Sequence, residues 1–458
     1  MKTMKSTRNR SVAAKVLGAP SEEQIIGILR TCAKYFNDKN QLFKKVVPIL
    51  EMINFVPIFS SGQLNRQELQ RLVPIIAKEL TQLTLRMNDI LPLYLLCQSL
   101  NVKTMPRLKS CFVLSSGTVE ETNHLILLGL LLPQLEVLRV FAPVNGDFPV
   151  LRKLRSLQLN HGISKVALSQ LFRNSLQLEN FVLTDETLKM NNWYVNVTGI
   201  EKCRKLRELV LPLYHQPSVS LCKLANLTKL SLHHQMPWTG QHWLSIITPI
   251  IHAKRHELQC LTLDGSYLTV PLNLFNLQLL QCTALSKLCL SNCTLADSLV
   301  STVPLSCQHL SFRRCVIGKL DCHLKAHALM QLLELFDCEL LTAAGPSNHV
   351  LQTVLWLRKH QPTLNAIHVL YSQTINLRKE MEMWPINHLL ENTPWIQIHE
   401  LQPQATQLWQ QPLGTITMQF GHPVNYMPDM EEQQTGQHLN RITAADIIKD
   451  IDKSMIGH

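Results

Sequence analysis

The nine residues Leu80-Thr81-Gln82-Leu83-Thr84-Leu85-Arg86-Met87-Asn88 constrain this chain more than any other feature. Leu83 and Leu85 alternate with polar neighbours, the period of a strand with one buried face. Variants of the same LxxLxLxxN pattern recur down the chain. Their central apolar position falls at Leu83, Cys111, Leu138, Leu157, Phe181, Leu209, Leu230, Leu261, Leu288, Leu310, Leu333 and Ile367. Successive markers lie 19 to 34 residues apart and average about 26. One such strand cannot bury its leucines alone, so the repetition implies stacking, with the inward residues forming a continuous core and the outward ones lined up on one face. The uneven spacing predicts variable helices and loops on the other side, longest at 231–257 and 336–363.

That period is the one expected of leucine-rich repeats. The fold class implied is an α/β solenoid, a horseshoe with a parallel concave sheet, a helical N-terminal module and a short C-terminal tail. The domains expected are a basic disordered tail at 1–19, a helical cap or F-box-like module at 20–78, the repeats at 79–420, and a polar linker with a short helix at 421–458. The segment Cys282-x-x-Leu285-x-x-Leu288-x-Leu290-x-x-Cys293-x-Leu295-x-Asp297 resembles the cysteine-containing repeat class, with weaker echoes beginning at Cys203, Cys307 and Leu333. In that class a small thiol takes the asparagine slot of the turn, where it offers a weak donor to backbone groups. The class is typical of F-box/LRR proteins, the substrate receptors of cullin-type ubiquitin ligases.

The resemblance implies an adaptor-binding helical module just ahead of the repeats. Ser21 to Gln24 forms a capping-box pattern that leads into Ile25, Ile26, Ile28, Leu29 and Cys32 at helical spacing. Leu42, Val46 and Val47 begin a second apolar segment, and Leu69, Leu72, Val73 and Ile76 a third. Pro48, Pro57 and Pro74 are expected to break these helices. The adaptor-binding residues that the resemblance implies are Ile25, Ile28, Leu29, Leu42 and Val46. The Leu-Pro opening and Cys-Lys-x-Trp-like ending of that family's module are missing. A cap that shields the first repeat's apolar edge therefore stands as the alternative.

The 13 cysteines are an odd number scattered at repeat positions, and no apolar secretory segment follows the basic start. Both features point to a reducing compartment, cytoplasmic or nuclear. On that reading the sequons at Asn196, Asn226 and Asn292 are accidental. The apolar run Leu125 to Pro133 is too short to span a bilayer. Net charge is +11; residues 1–50 carry +7 and the last thirty −3. The basic start suits electrostatic steering toward RNA, an anionic membrane or an acidic partner. A basic adaptor on RNA or anionic membrane is accordingly the alternative function.

The outward strand positions give the candidate partner-binding strip: Arg86, Phe112, Arg139, Phe141, Lys229, His233, Asp264, Lys287, Arg313, Glu334 and Phe336, with Leu114, Asn160 and His368 alongside. Arginine and aromatic side chains there offer planar ion pairing and large rigid contact area to a protein. The basic residues are isolated along the strip, which disfavours nucleic acid.

Motifs for nucleophile elbows, phosphate loops and zinc helices do not occur, so neither catalysis, cofactor nor metal is expected. Cys315, Cys322, His323 and His327 lack the paired spacing of a zinc knuckle. The histidines show no arrangement with carboxylates, and Lys254 and Arg255 between His252 and His256 suggest a solvated helix face. Near the end, 394–398 and 415–420 are candidate last strands or a cap, and Thr443 to Asp446 caps a short helix.

Overall fold

A computed structural model describes residues 21–34, 41–117, 124–184, 197, 199–213, 219–234, 240–265, 271–295, 306–318, 330–336, 338–342, 345–347, 366–371, 396–400 and 414–419. The expected tail at 1–19, the helix after Thr443, and Cys322, His323 and His327 lie outside them. The described residues fall into two compact units, one ending at Ser175 and the other running from Leu176 to Tyr426.

The first unit opens with four helices: α1 (Glu22–Lys34), α2 (Gln41–Met52), α3 (Val56–Ser60) and α4 (Arg66–Glu79). The Ser21 capping box forms as expected, with Gln24 N donating to Ser21 Oγ (3.2 Å) and Ser21 N to Gln24 Oε1 (2.8 Å). Asn65 and Glu68 build a second at the start of α4. Pro48 and Pro74 lie inside α2 and α4 instead of ending them, and Pro57 sits in the first turn of α3, where its missing N–H costs nothing. In α4 the residue four before Pro74 is the exposed Gln70, so water can reach its unpaired carbonyl, and burial of Leu72, Val73, Ile76 and Ala77 holds the helix.

Four strands follow in parallel register, β1 (Gln82–Arg86), β2 (Ser110–Leu114), β3 (Val137–Phe141) and β4 (Ser156–Leu159). Leu83, Cys111, Leu138 and Leu157 align in one inward row, and Leu85, Val113, Val140 and Leu159 in the next; all are buried. At the head of each strand after the first, two successive N–H groups share one carbonyl of the preceding repeat. Lys109 and Ser110 donate to Thr81 O, and Glu136 and Val137 to Lys109 O. β1 has no repeat before it. The Glu51 carboxylate of α2 takes that place, accepting from Thr81 N (2.6 Å), Thr81 Oγ1 (2.7 Å) and Gln82 N (3.1 Å). Opposite the sheet lie α5 (Ile90–Ser99), α6 (Ile126–Leu131) and α7 (Lys165–Asn174).

In the second unit β5 (Asn180–Leu183), β6 (Glu208–Leu213), β7 (Lys229–His234), β8 (Cys260–Asp264), β9 (Lys287–Ser291), β11 (His309–Arg313), β13 (Leu332–Phe336) and β16 (Ala366–Tyr371) pair in parallel. The sheet ends antiparallel, with β18 (Gly414–Gln419) on β16 and β17 (Ile396–Glu400) on β18. A smaller sheet holds β10 (Thr294–Leu295), β12 (Val316–Gly318), β14 (Glu339–Thr342) and β15 (Gly345–Ser347). Its described residues also hold the helices α8 (Val219–Cys222) and α9 (Gly240–Ala253) and short 3-10 turns at Ile200–Lys202, Leu274–Leu277 and Leu279–Gln281. Lys254, in the turn just after α9, is buried, not solvated as expected.

Cysteines fill the turn slot as the repeat class implies. The Cys315 thiol donates to Leu290 O (3.3 Å) and that of Cys338 to Phe312 O (3.2 Å), each a carbonyl in the preceding repeat's strand. Asn292 and Arg314, just before Cys293 and Cys315, take positive φ (52° and 50°) to turn the thiols inward. Burial pushes the Cys111 and Cys307 thiols up to about 12. Cys293 is pushed well above its ordinary value by its hydrogen bond with Cys315 and by burial, so its thiol stays protonated and donates to Ser291 O (3.1 Å).

Candidate functional site: the outward strand rows of the two units

In the first unit the outward rows are Thr84–Phe112–Arg139–Gln158 and Arg86–Leu114–Phe141. Parallel pairing in register sets these side chains beside one another on adjacent strands. The Arg139 guanidinium lies 5.3 Å from the centroid of the Phe112 ring. Arg86, Leu114 and Arg139 are exposed; Phe112 and Phe141 are half-buried. At the heads of the same strands Lys109 Nζ sits 3.0 Å from Glu136 Oε1, and that contact holds the Glu136 carboxyl below the usual range. The residues singled out in this part of the sequence therefore come together as one arginine–aromatic surface.

The second unit's outward rows are different in kind. Lys229–Cys260–Lys287–His309 heads the strands, Ser231–Thr262–Cys289–Ser311–Glu334–His368 runs along the middle, and His233–Asp264–Ser291–Arg313–Phe336 follows. For Phe336 and His368 only the strand position is described. Contrary to the sequence expectation, histidines here do have carboxylate partners. His233 Nδ1 lies 3.4 Å from Asp264 Oδ2, its Nε2 lies 3.2 Å from Ser231 Oγ, and Asn292 Nδ2 donates to Asp264 Oδ1 (2.9 Å). Asp264 lies 31 positions from His233 and 28 from Asn292, and only the register brings the three together.

The order Ser231–His233–Asp264 is that of a nucleophilic triad. Acyl transfer also needs N–H donors aimed at a developing oxyanion. Ser231 sits mid-strand between β6 and β8, where backbone groups serve the sheet ladder. The arrangement instead fixes the rotamers and tautomer of His233.

Further along, His309 Nε2 and Glu334 Oε2 are 2.9 Å apart with side chains only 12% and 13% exposed. Neither atom makes an aligned hydrogen bond, and the contact is an ion pair whenever His309 is protonated. Burial alone would raise the Glu334 carboxyl, but His309, the Ser311 hydroxyl and Arg313 outweigh it and hold it at about 2. Around this pair Ser311, Cys289 and Leu332 are buried although their positions face outward. The expected solvent-facing strip is thus closed at Glu334. Lys229 and Arg313 are exposed, and Lys287 half-buried.

Ile25, Ile28, Leu29 and Val46, the residues the resemblance implied for adaptor binding, are buried. The α1 helix packs on α4 and α2, so these side chains form the module's own core. The side chain of Leu42 lies outside the described residues. What sequence reasoning missed was Glu51, whose only signal was an acidic residue in the last turn of a helix.

No family model matches this chain, and no curated protein matches it. Among solved structures it is similar to an internalin from Listeria monocytogenes at 13% identity, over 66% of this chain and 83% of that one, with a TM-score of 0.36. The repeat architecture itself stands on the strand register given above. Among the described residues no three His, Cys, Asp or Glu groups converge as metal ligands, and no helix is long and apolar enough to cross a membrane.

Proposed function

We propose that this chain is a protein-binding repeat scaffold and that the sheet face of the first unit is its principal contact surface. The observation that carries this reading is the stacked Arg139–Phe112 pair beside Arg86, Leu114 and Phe141 at outward positions. Such a surface offers a partner rigid apolar area and planar hydrogen-bonding charge together. Lys229, His233, Asp264, Lys287 and Arg313 extend the contact set in the second unit. A photo-crosslinking residue placed at Leu114 should capture a partner that the same residue placed at exposed His252 does not. Equal capture from both positions rejects the sheet-face reading.

The finer reading is a substrate receptor of a cullin-type ubiquitin ligase working in the cytoplasm or nucleus. Its supports are the helical module directly before the first repeat strand and the thiol-filled turn slots. With Ile25, Ile28, Leu29 and Val46 in the module's core, adaptor contact would fall to the exposed sides of the helices they hold. Co-expression of the full chain with the small cullin adaptor should give a salt-resistant one-to-one complex, since such interfaces are mostly apolar. Well-folded chain that elutes alone sinks this reading and leaves the module a cap.

A further inference from the structure

The helical side of the first unit carries a second surface that the sheet-face reading does not use. The α5 sequence Ile-Leu-Pro-Leu-Tyr-Leu-Leu-Cys-Gln-Ser and the α6 sequence Ile-Leu-Leu-Gly-Leu-Leu contain no charged residue on any face. Helices apolar all round are normally buried on all sides. Here Leu95 is 57% exposed, Ile126 49% and Leu130 57%, and Val150 beyond them 54%.

Backbone contacts bring α5, α6 and the Pro149–Val150 turn, which carry these residues, side by side. The loop after α5 bonds to the end of α6 through Met105 N and Leu131 O (2.8 Å). On the other side α6 lies so close to the next repeat that a Cβ at Gly129 would come within 3.3 Å of Pro149 Cβ and 3.4 Å of Val150 N. Exposed cations stand in the loops that flank α6, Lys103 before it and Arg152 and Lys153 after it. Lys153 Nζ reaches back to Gln134 Oε1 just past the end of α6. Of the described acids nearby, Glu79 is held by Arg107 (2.7 Å) and Asp147 accepts from Gln170 (2.6 Å).

Exposed aliphatic side chains rimmed by lysine and arginine match the chemistry of an anionic bilayer surface: acyl chains for the leucines, acidic headgroups for the cations. A nucleic acid would leave the aliphatic patch in water, and a second copy would set like charges against each other around it. We infer that the α5–α6 flank of the first unit docks on anionic membrane, leaving the outward sheet rows available to a protein.

The test is co-sedimentation of the full chain with vesicles of phosphatidylcholine alone and of phosphatidylcholine with phosphatidylserine. Binding is expected only with phosphatidylserine and should weaken with salt. R152Q/K153Q should weaken it roughly twenty-five-fold, at about fivefold per cation. The triple variant L95S/I126S/L130S should abolish it. If that variant is unfolded by circular dichroism, the exposed R152Q/K153Q pair decides alone. The inference is overturned if neither vesicle binds, if lipid charge makes no difference, or if R152Q/K153Q binds as the parent does. It is equally overturned if the chain forms a concentration-dependent dimer that I126S/L130S dissolves, which would assign the patch to a second copy. None of these outcomes bears on crosslinking from Leu114.

Discussion

The outward rows of the two units are built on the same strand geometry and do different physical work. In the first unit Phe112, Leu114, Arg139 and Phe141 meet solvent with little polar satisfaction of their own, so their contact energy is left for a partner. In the second, Ser231, His233, Asp264 and Asn292 satisfy one another, and His309, Ser311 and Glu334 are withdrawn from water. A repeat thus fixes where side chains stand without fixing whether they serve binding or stability. The residue types placed in the rows decide that.

The largest expected effect lies at the closed end. Replacing Glu334 by Ala removes one partner of a mostly buried pair and should cost about 2–4 kcal/mol, discounted slightly for the residual exposure. Urea unfolding measures it, and a loss within error of zero would mean that this end of the sheet is open after all. The same carboxyl gives a pH signature. Its folded pKa, about 2, lies below the ordinary value of 4.5, so its contribution is complete above that ordinary value and is lost as pH falls through the folded one. The parent chain should therefore lose stability between about pH 4.5 and pH 2. E334Q should show a shallower slope across that window.

A smaller effect is expected where the first unit begins. Glu51→Ala removes the carboxylate that stands in for a preceding repeat, leaving Thr81 N and Gln82 N to water, at a cost of about 1–2 kcal/mol. Glu51→Gln keeps an oxygen acceptor and should recover most of the loss. Hydrogen exchange at Thr81 and Gln82 reads this locally. Unchanged protection in E51A would show that the module caps the strand by packing alone.

Much of this fold was legible because a two-residue period leaves little choice of register. The marker positions Leu83, Cys111, Leu138 and Leu157 align in one unit, and Phe181, Leu209, Leu230, Leu261, Leu288, Leu310, Leu333 and Ile367 in the other. The thiol slots at Cys315 and Cys338 followed from the same pattern. The His233–Asp264 and His309–Glu334 pairs were hidden, since they depend on loop lengths that bring distant strands side by side. Pro48 and Pro74 misled because local propensity was overruled by burial of the helix face. Burial of Ser311 could not be read at all, for an outward strand position says nothing of what lies above it.

The smallest stability change, and the sharpest test of the contrast, is expected from F112A/R139A. The Arg139–Phe112 contact sits at a solvent-facing position, where such pairs contribute about 0.5–1 kcal/mol. Thermal melting should therefore barely move, in contrast to the large loss in E334A. If the side chains are kept for a partner, crosslinking from Leu114 in this background should fall about tenfold or more, the range in which truncating central arginine and aromatic contacts acts. A variant that melts early with crosslinking intact would invert the assignment, making the open face a structural element. The binding rows would then have to be sought among Lys229, Lys287 and Arg313 of the second unit.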